Sequence, residues 1–339
     1  MEKDLKTLSG SLLPSIEHEI RTVVARVQTP ETEELYYMLA YHLGWVGEGA
    51  GAGAVGKRIR PLLVLLTTGA AGGQWEHALP AAVAVELLHN FSLIHDDIED
   101  HSPLRRGRPT LWKQWGIPQA INSGDTMFTL ANIAILELEK SAGSSIALLA
   151  AKAFQETTLA LTGGQYLDLA FESRSDLTID DYWNMIGGKT ASLIGTCTRI
   201  GALVAGCNET AQNTYQEFGV SLGLAFQIQD DWLGIWGDSN LTGKSAESDL
   251  ISGKKTLPVL YGLSKKGEFA RRWTAGDIQS LDVPELAQLL DSEGAKAYTQ
   301  ERVNYYTNRA ISRLHQTNPH GDYGQALIDL TELLLNRKS

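Results

Sequence analysis

Two short stretches concentrate side chains able to do chemistry. Leu93-Ile-His-Asp-Asp-Ile-Glu-Asp100 carries four carboxylates in its last five residues, straight after the nearly uncharged run Leu87-Leu-His-Asn-Phe-Ser92. Phe226-Gln-Ile-Gln-Asp-Asp-Trp-Leu-Gly234 places a second acidic pair among apolar flanks. On a helix, residues four apart stand one above the other, so Asp96 and Asp100 share a face that Ser92 and His89 continue backwards. A solvated acidic helix end is the bland alternative. It fits poorly, because carboxylates at a helix C-terminus meet the negative end of the macrodipole as well as each other. A compensating cation is expected, and Mg²⁺ suits: it is hard, takes oxygen ligands, and shares one or two carboxylates with phosphates and water. A phosphate-bearing substrate follows. In the second stretch Gln227 and Asp230 lie three apart on one side, while Phe218, Leu222 and Phe226 trace another. Two such helices can face each other across a bundle interior, where facing helices build metal sites.

Cations follow both clusters. Arg105, Arg106 and Arg108 come after the first, and Lys244, Lys254 and Lys255 after the second. Taken singly, each group reads as a solvated loop; their repeated placement beyond an acidic helix favours phosphate, which arginine grips as a fork and lysine as a mobile point charge. Lys189 falls within the apolar series Tyr182, Ile186, Leu193, Cys197, Ile200 and Val204, so it needs a partner or must snorkel to solvent. Gly51-Ala-Gly-Ala-Val-Gly-Lys57-Arg58 matches a phosphate-binding P-loop until Arg58 replaces the Mg²⁺-binding hydroxyl, and no strand precedes it. It reads instead as a linker, or as Lys57 and Arg60 presenting two cations at the start of the next helix.

The elements that must position these groups are helices. Leu and Ala recur at three- and four-residue spacing and alternating β-branched runs are scarce. Helices are predicted over about 5–28, 57–71, 76–101, 119–140, 144–172, 179–205, 210–235, 254–264 and the C-terminal third, with Thr178 capping the sixth through Asp181. Several are apolar on more than one side, as in one large all-α bundle over residues 1–339 without a domain boundary. Breaks rich in Gly, Pro or Ser fall at 47–56, 103–109 and 237–253. The 339 residues carry 29 basic and 40 acidic side chains, a formal charge of −11 that argues against nucleic acid. Only Cys197 and Cys207 are present, which excludes a disulfide framework or zinc site and points to a reducing, cytoplasmic compartment. The N-terminus lacks the form of a signal peptide, and no stretch is expected to reach the roughly 18 apolar residues of a transmembrane helix.

Six ordered motifs between about Gly56 and Pro258 resemble the trans-isoprenyl diphosphate synthases of the farnesyl and geranylgeranyl type. They are Gly56-Lys57-Arg-Ile-Arg60-Pro, Asp96-Asp97-x-x-Asp100 with Arg105-Arg106-Gly, Gly124-Asp125, Gly188-Lys189-Thr190, Phe226-Gln227-x-x-Asp230-Asp231, and Gly253-Lys254-x-Thr256-Leu-Pro. The resemblance implies an all-helical prenyltransferase bundle with a central active-site cavity, commonly a homodimer. It implies that Asp96 and Asp100 bind two Mg²⁺ ions and Asp230 a third, bridging the diphosphate of an allylic substrate. Arg105, Lys189, Thr190, Gln227, Lys244 and Lys254 would hold the same group. Lys57, Arg60, His89 and Arg106 would hold isopentenyl diphosphate, with Asp97 and Asp231 in supporting places. Loss of the allylic diphosphate leaves a delocalised cation, which the second substrate's double bond attacks; the departing group takes the proton. Phe91, five residues before the first motif, and the small Ser92 resemble the pattern of C20 (geranylgeranyl) synthases. Gly234 departs from it, standing where many relatives carry a third aspartate. A C15 (farnesyl) product, terpene cyclisation, or a non-catalytic helical protein that binds a lipid or partner remain as alternatives.

Overall fold

The computed structural model describes residues 4–237, 248–276 and 278–335. Their principal helices are α1 (Leu5–Val24), α2 (Glu33–His42), α3 (Ile59–Ala70), α4 (Leu79–Glu99), α5 (Ile117–Leu136), α6 (Ser144–Glu172), α7 (Ile179–Ile186), α8 (Ser192–Val204), α9 (Glu209–Trp236), α10 (Leu257–Lys265), α11 (Glu268–Thr274), α12 (Val283–Ser292), α13 (Ala295–Gln316) and α14 (Gly321–Leu335). The fold is all-helical, as the periodicity predicts. The one sheet among the described residues is the hairpin β1 (Leu104–Arg105) and β2 (Arg108–Pro109). Contacts divide the chain into two compact units. The first comprises residues 1–155, 197–212 and 319–327; the second comprises 156–196, 213–318 and 328–339.

In the first unit α4 is the central element. Ala81, Ala82, Val83, Ala84, Val85, Leu87 and Leu88 are all fully buried, so no face of this stretch meets water. Its alanines let α1, α3 and α5 pack closely around it. Pro80 in the first turn is pre-set for helix and loses no intrahelical bond there. The far end is closed by a left-handed residue, His101 (φ 52°), with the His101 amide donating to the Ile98 carbonyl and the Ser102 amide to that of Asp97. Residues 75–99 are, contrary to expectation, long and apolar enough to span a bilayer by length and composition. The cause is this all-round burial: a helix enclosed by helices needs the same apolar composition as one enclosed by lipid.

The second unit has two apolar clusters. One joins Phe171, Tyr182, Ile186, Ile228, Leu257 and Val303; the other gathers Ile235, Val259, Phe269, Leu286, Leu290 and Ala295. Thr178 caps α7 as predicted: its hydroxyl accepts from the Asp181 amide (3.3 Å) and Asp181 Oδ2 from the Thr178 amide (2.9 Å). The helix predicted over 179–205 is interrupted, however. Residues Gly187–Ala191 form a π-helical turn between α7 and α8. The sequence has a reason for it: a Cβ on Gly188 would lie 2.6 Å from the Ala160 carbonyl oxygen, and one on Gly164 would collide with the Lys189 backbone. Glycines on both elements let α6 and the wide turn touch backbone to backbone.

Candidate active site

The first acidic cluster sits at the end of α4. Asp97 is 3% exposed and is clamped by Arg105, whose Nε donates to both carboxylate oxygens at 2.9 Å and whose Nη2 lies 2.8 Å from Oδ1. Burial raises the Asp97 carboxyl above its ordinary range, against the pull of Arg105. Asp96 lies 3.6 Å from the same guanidinium and is half-buried, while Asp100 is the exposed C-cap, bonded through its amide to the Asp96 carbonyl one turn back. Arg105 therefore joins the buried member of the acidic pair to the neighbour facing outward.

The hairpin that presents the arginines was not legible as a strand pair. Its two-residue turn is Arg106-Gly107, both with positive φ (53° and 74°), the geometry that matches the twist of adjoining strands. A left-handed arginine costs about 1 kcal/mol. Here it carries Arg106 against the Gly-rich break, where Nη1 donates to the Ala54 carbonyl (2.7 Å) and the guanidinium packs on Gly56. Arg108 is a different case. It is buried, stacks 3.9 Å over the Tyr41 ring, and spends its donors on the carbonyls of Tyr41, Val46 and Glu48, so it braces the 41–56 segment. That segment is a strapped loop with one helical turn at Ala52–Val55, and no strand precedes it among the described residues.

Arg58, which spoils the P-loop pattern, proves to be an internal anchor. In left-handed conformation (φ 49°) and 4% exposed, it bonds Glu86 (2.8 Å) and Glu17 (3.2 Å). Sequence reasoning missed all three residues, and Asn90, which donates to Glu86. Beside them lie the predicted anion-binding residues. Arg60 and Arg106 both have their basicity reduced, first by burial and then by neighbouring arginines in the case of Arg106, with Glu86 opposing. The Arg60 Nε has no hydrogen-bond partner among the described residues. Burial and then Arg60 push His89 well below the ordinary imidazole value, so it is neutral at physiological pH. Lys57 is exposed just before α3. Upstream on α4, Phe91 packs on Phe128 of α5 (ring centroids 5.0 Å apart) and edge-on to His95 (4.8 Å), while the Ser92 hydroxyl donates to the His89 carbonyl.

The second acidic pair is built the same way. Asp231, 3% exposed, accepts from the Tyr182 hydroxyl (2.7 Å), Gln227 Nε2 (2.9 Å) and the Leu257 amide at the start of α10 (3.2 Å). Burial and then Asp231 hold the Tyr182 phenol well above its ordinary value, so it remains a donor. The Thr190 hydroxyl donates to Gln227 Oε1 (2.9 Å), extending the chain to the π-turn. Lys189 leaves that turn to meet Asp168 (2.5 Å), a partner that sequence reasoning did not name. The reason for its direction is thus the wide turn rather than an unbroken apolar stripe. These residues line one hollow of the second unit with Lys254 and Thr256, whose buried Oγ1 has no partner among the described residues. Asp230 is half-buried beside Asp231, and Lys255, also on the wall of this hollow, donates to the carbonyls of Glu172 and Gly253. Lys244 lies outside the described residues.

Among the described residues no group of three or more His, Cys, Asp or Glu is gathered to hold a metal. Asp96 and Asp100, hard oxygen donors one helical turn apart, suit an ion that completes its shell with phosphate oxygens and water, as Mg²⁺ does.

Comparison with known proteins gives one family. The pattern described as polyprenyl synthetase matches residues 51–281. The chain is 35% identical to (2E,6E)-farnesyl diphosphate synthase of Mycobacterium tuberculosis, over 100% of this chain and 97% of that one. It is 36% identical to geranylgeranyl diphosphate synthase of the same organism, over 98% and 95%. Among solved structures, a polyprenyl synthetase from Streptomyces coelicolor superposes with a TM-score of 0.86 at 34% identity, covering 97% of this chain and 99% of the other.

Proposed function

Because this chain belongs to the polyprenyl synthetase family, a family of prenyltransferases acting in isoprenoid biosynthesis, we propose that it condenses isopentenyl diphosphate with allylic diphosphates to give geranylgeranyl diphosphate. The observation that carries the reading is the cationic group of the first unit. Arg60 and Arg106 are gathered at a cost in desolvation, and the Nε of Arg60 has no hydrogen-bond partner among the described residues. Such a cluster favours a multiply charged anion beside it. A diphosphate has that charge and those acceptors.

In this reading Lys57, Arg60, His89 and Arg106 bind the homoallylic diphosphate. Asp96 and Asp100 would hold two Mg²⁺ ions and Asp230 a third, and these ions would neutralise charge on the allylic diphosphate. Arg105, Lys189, Thr190, Gln227, Lys244 and Lys254 grip the same group and stabilise it as it departs, their attraction growing with the charge that develops on it. Asp97 and Asp231 keep Arg105 and Gln227 aimed, through the bonds described above. Apolar walls exclude water, which would quench the allylic cation. The released diphosphate accepts the proton lost after condensation.

The C20 product is supported by Phe91, whose packing on Phe128 gives a wall of two rings upstream of Asp96, and by the absence of an insertion between Asp96 and Asp100. The relatives themselves are divided between farnesyl and geranylgeranyl names. A homodimer is supported by the strongly exposed Leu148, Leu159 and Tyr166 of α6, which return to one side of the helix. The free thiols of Cys197 and Cys207 support a reducing, cytoplasmic setting.

Purified protein supplied with isopentenyl diphosphate, each allylic starter and Mg²⁺ is expected to yield a C20 diphosphate by chromatography. A product stopping at C15 replaces the geranylgeranyl reading with the farnesyl one. No elongated product at all removes the enzyme reading.

A further inference from the structure

A buried amide of the first unit keeps unused bonding capacity next to a residue that lines a hollow. Asn90 has no solvent exposure. Its Nδ2 donates to the Glu86 carbonyl (2.7 Å) and carboxylate (3.1 Å), and Glu86 is fixed by Arg58. Because a carboxylate only accepts, the amide cannot be reversed. Asn90 Oδ1 must therefore point the other way, where it reaches no full hydrogen bond among the described residues and meets the side chain of His42. His42, the last residue of α2, lines a hollow with Tyr41, Asp97, Arg105 and Arg106.

We infer that His42 is a further binding residue for the homoallylic diphosphate, one ring nitrogen engaged by Asn90 Oδ1 and the other turned to a phosphate oxygen. The inference rests on the prenyltransferase reading and adds to it a residue outside the six motifs. The charged and titratable groups around the ring are Asp97 and His89 from α4, Arg105, Arg106 and Arg108 from the hairpin, Tyr41 beside it on α2, and Arg58 before α3. In the free protein burial, then Arg105, Arg106 and Arg58, hold His42 down to about 3. A neutral ring can satisfy Asn90 Oδ1 but has no second N–H to offer. A bound diphosphate supplies the negative charge that lets the ring take up a proton from solvent and donate at both nitrogens. Asn90 Oδ1 and the phosphate oxygen are then satisfied together, and the buried amide acts as a fixed rest that aims the imidazole.

The test is calorimetric titration of isopentenyl diphosphate, without metal, into the wild type and two variants. His42→Asn keeps polarity, and His42→Phe keeps ring volume. Each is expected to weaken binding by about ten- to a hundred-fold, the worth of a hydrogen bond to a charged group. KM for the allylic diphosphate should stay within about two-fold and the thermal midpoint should be unchanged. Wild-type affinity in either folded variant overturns the assignment of His42. Equal loss for both substrates does so too, since it marks a structural role. Elongation by the wild type is scored separately: a wild type that binds isopentenyl diphosphate but makes no product removes the enzymatic reading, and the titration still decides the place of His42.

Discussion

Glu86 neutralises a buried arginine and fixes a buried amide at once. Removing Glu86 leaves buried Arg58 only its longer contacts to Glu17 and strips the Asn90 amide of its carboxylate partner. Glu86→Ala is therefore expected to destabilise the protein by about 3 kcal/mol, read from urea unfolding; a loss under about 1 kcal/mol would mean that Glu17 alone satisfies Arg58. Phe91 belongs to the same scale. If its ring and that of Phe128 close the space available to the growing chain, Phe91→Ala opens roughly the volume of one ring, and products longer than those of the wild type should appear by chromatography. An unchanged length would return Phe91 to ordinary packing. The motif acids and bases were legible in the sequence because they recur as clusters at helix ends. Glu17, Glu86, Asn90 and Asp168 were not, because a lone polar residue inside an apolar run gives no sign of what it meets across the fold.

At the scale of elements, the long helices were readable from apolar periodicity, and 144–172 matches α6 residue for residue. The failures have separate causes. α2 was missed because Leu-Tyr-Tyr-Met-Leu-Ala-Tyr is apolar without a period, and His42 was lost with it; the acidic first turn Glu33-Glu34 was the available signal. The hairpin was missed because Arg-Gly replaces the usual Asn-Gly at its turn. The π-turn was missed because Gly187-Gly188 reads only as weak helix, while its true cause is the close approach of α6. That cause makes a paired prediction. Gly187→Ala meets nothing within 4 Å and should leave stability and turnover nearly unchanged, whereas Gly188→Ala drives a methyl against the Ala160 carbonyl. The second change is expected to cost about 1–3 kcal/mol, and to lower kcat on the order of a hundred-fold by displacing Lys189 from Asp168. Similar midpoints and rates for the two variants would disconnect the turn from the chemistry.

At the scale of the whole molecule, solvent-facing leucines predict self-association. Leu148 and Leu159 are 71% and 75% exposed on one helix face, with the polar Lys152 and Gln155 between them, and large apolar side chains rimmed by polar ones suit an interface. Sedimentation of the wild type should give twice the mass of one chain, and Leu148→Asp with Leu159→Asp should halve it; a wild-type monomer would end the homodimer proposal. The first unit also has a history written into its connectivity. It is assembled from residues 1–155, 197–212 and 319–327, so a chain leaving the ribosome exposes its bilayer-length apolar helix long before the last pieces that belong to its unit have been made. Non-local closure of this sort is slow and leaves intermediates prone to clumping. Synthesis stalled short of residue 319 should hand chaperones, or any nearby bilayer, a segment that only the finished fold can hide.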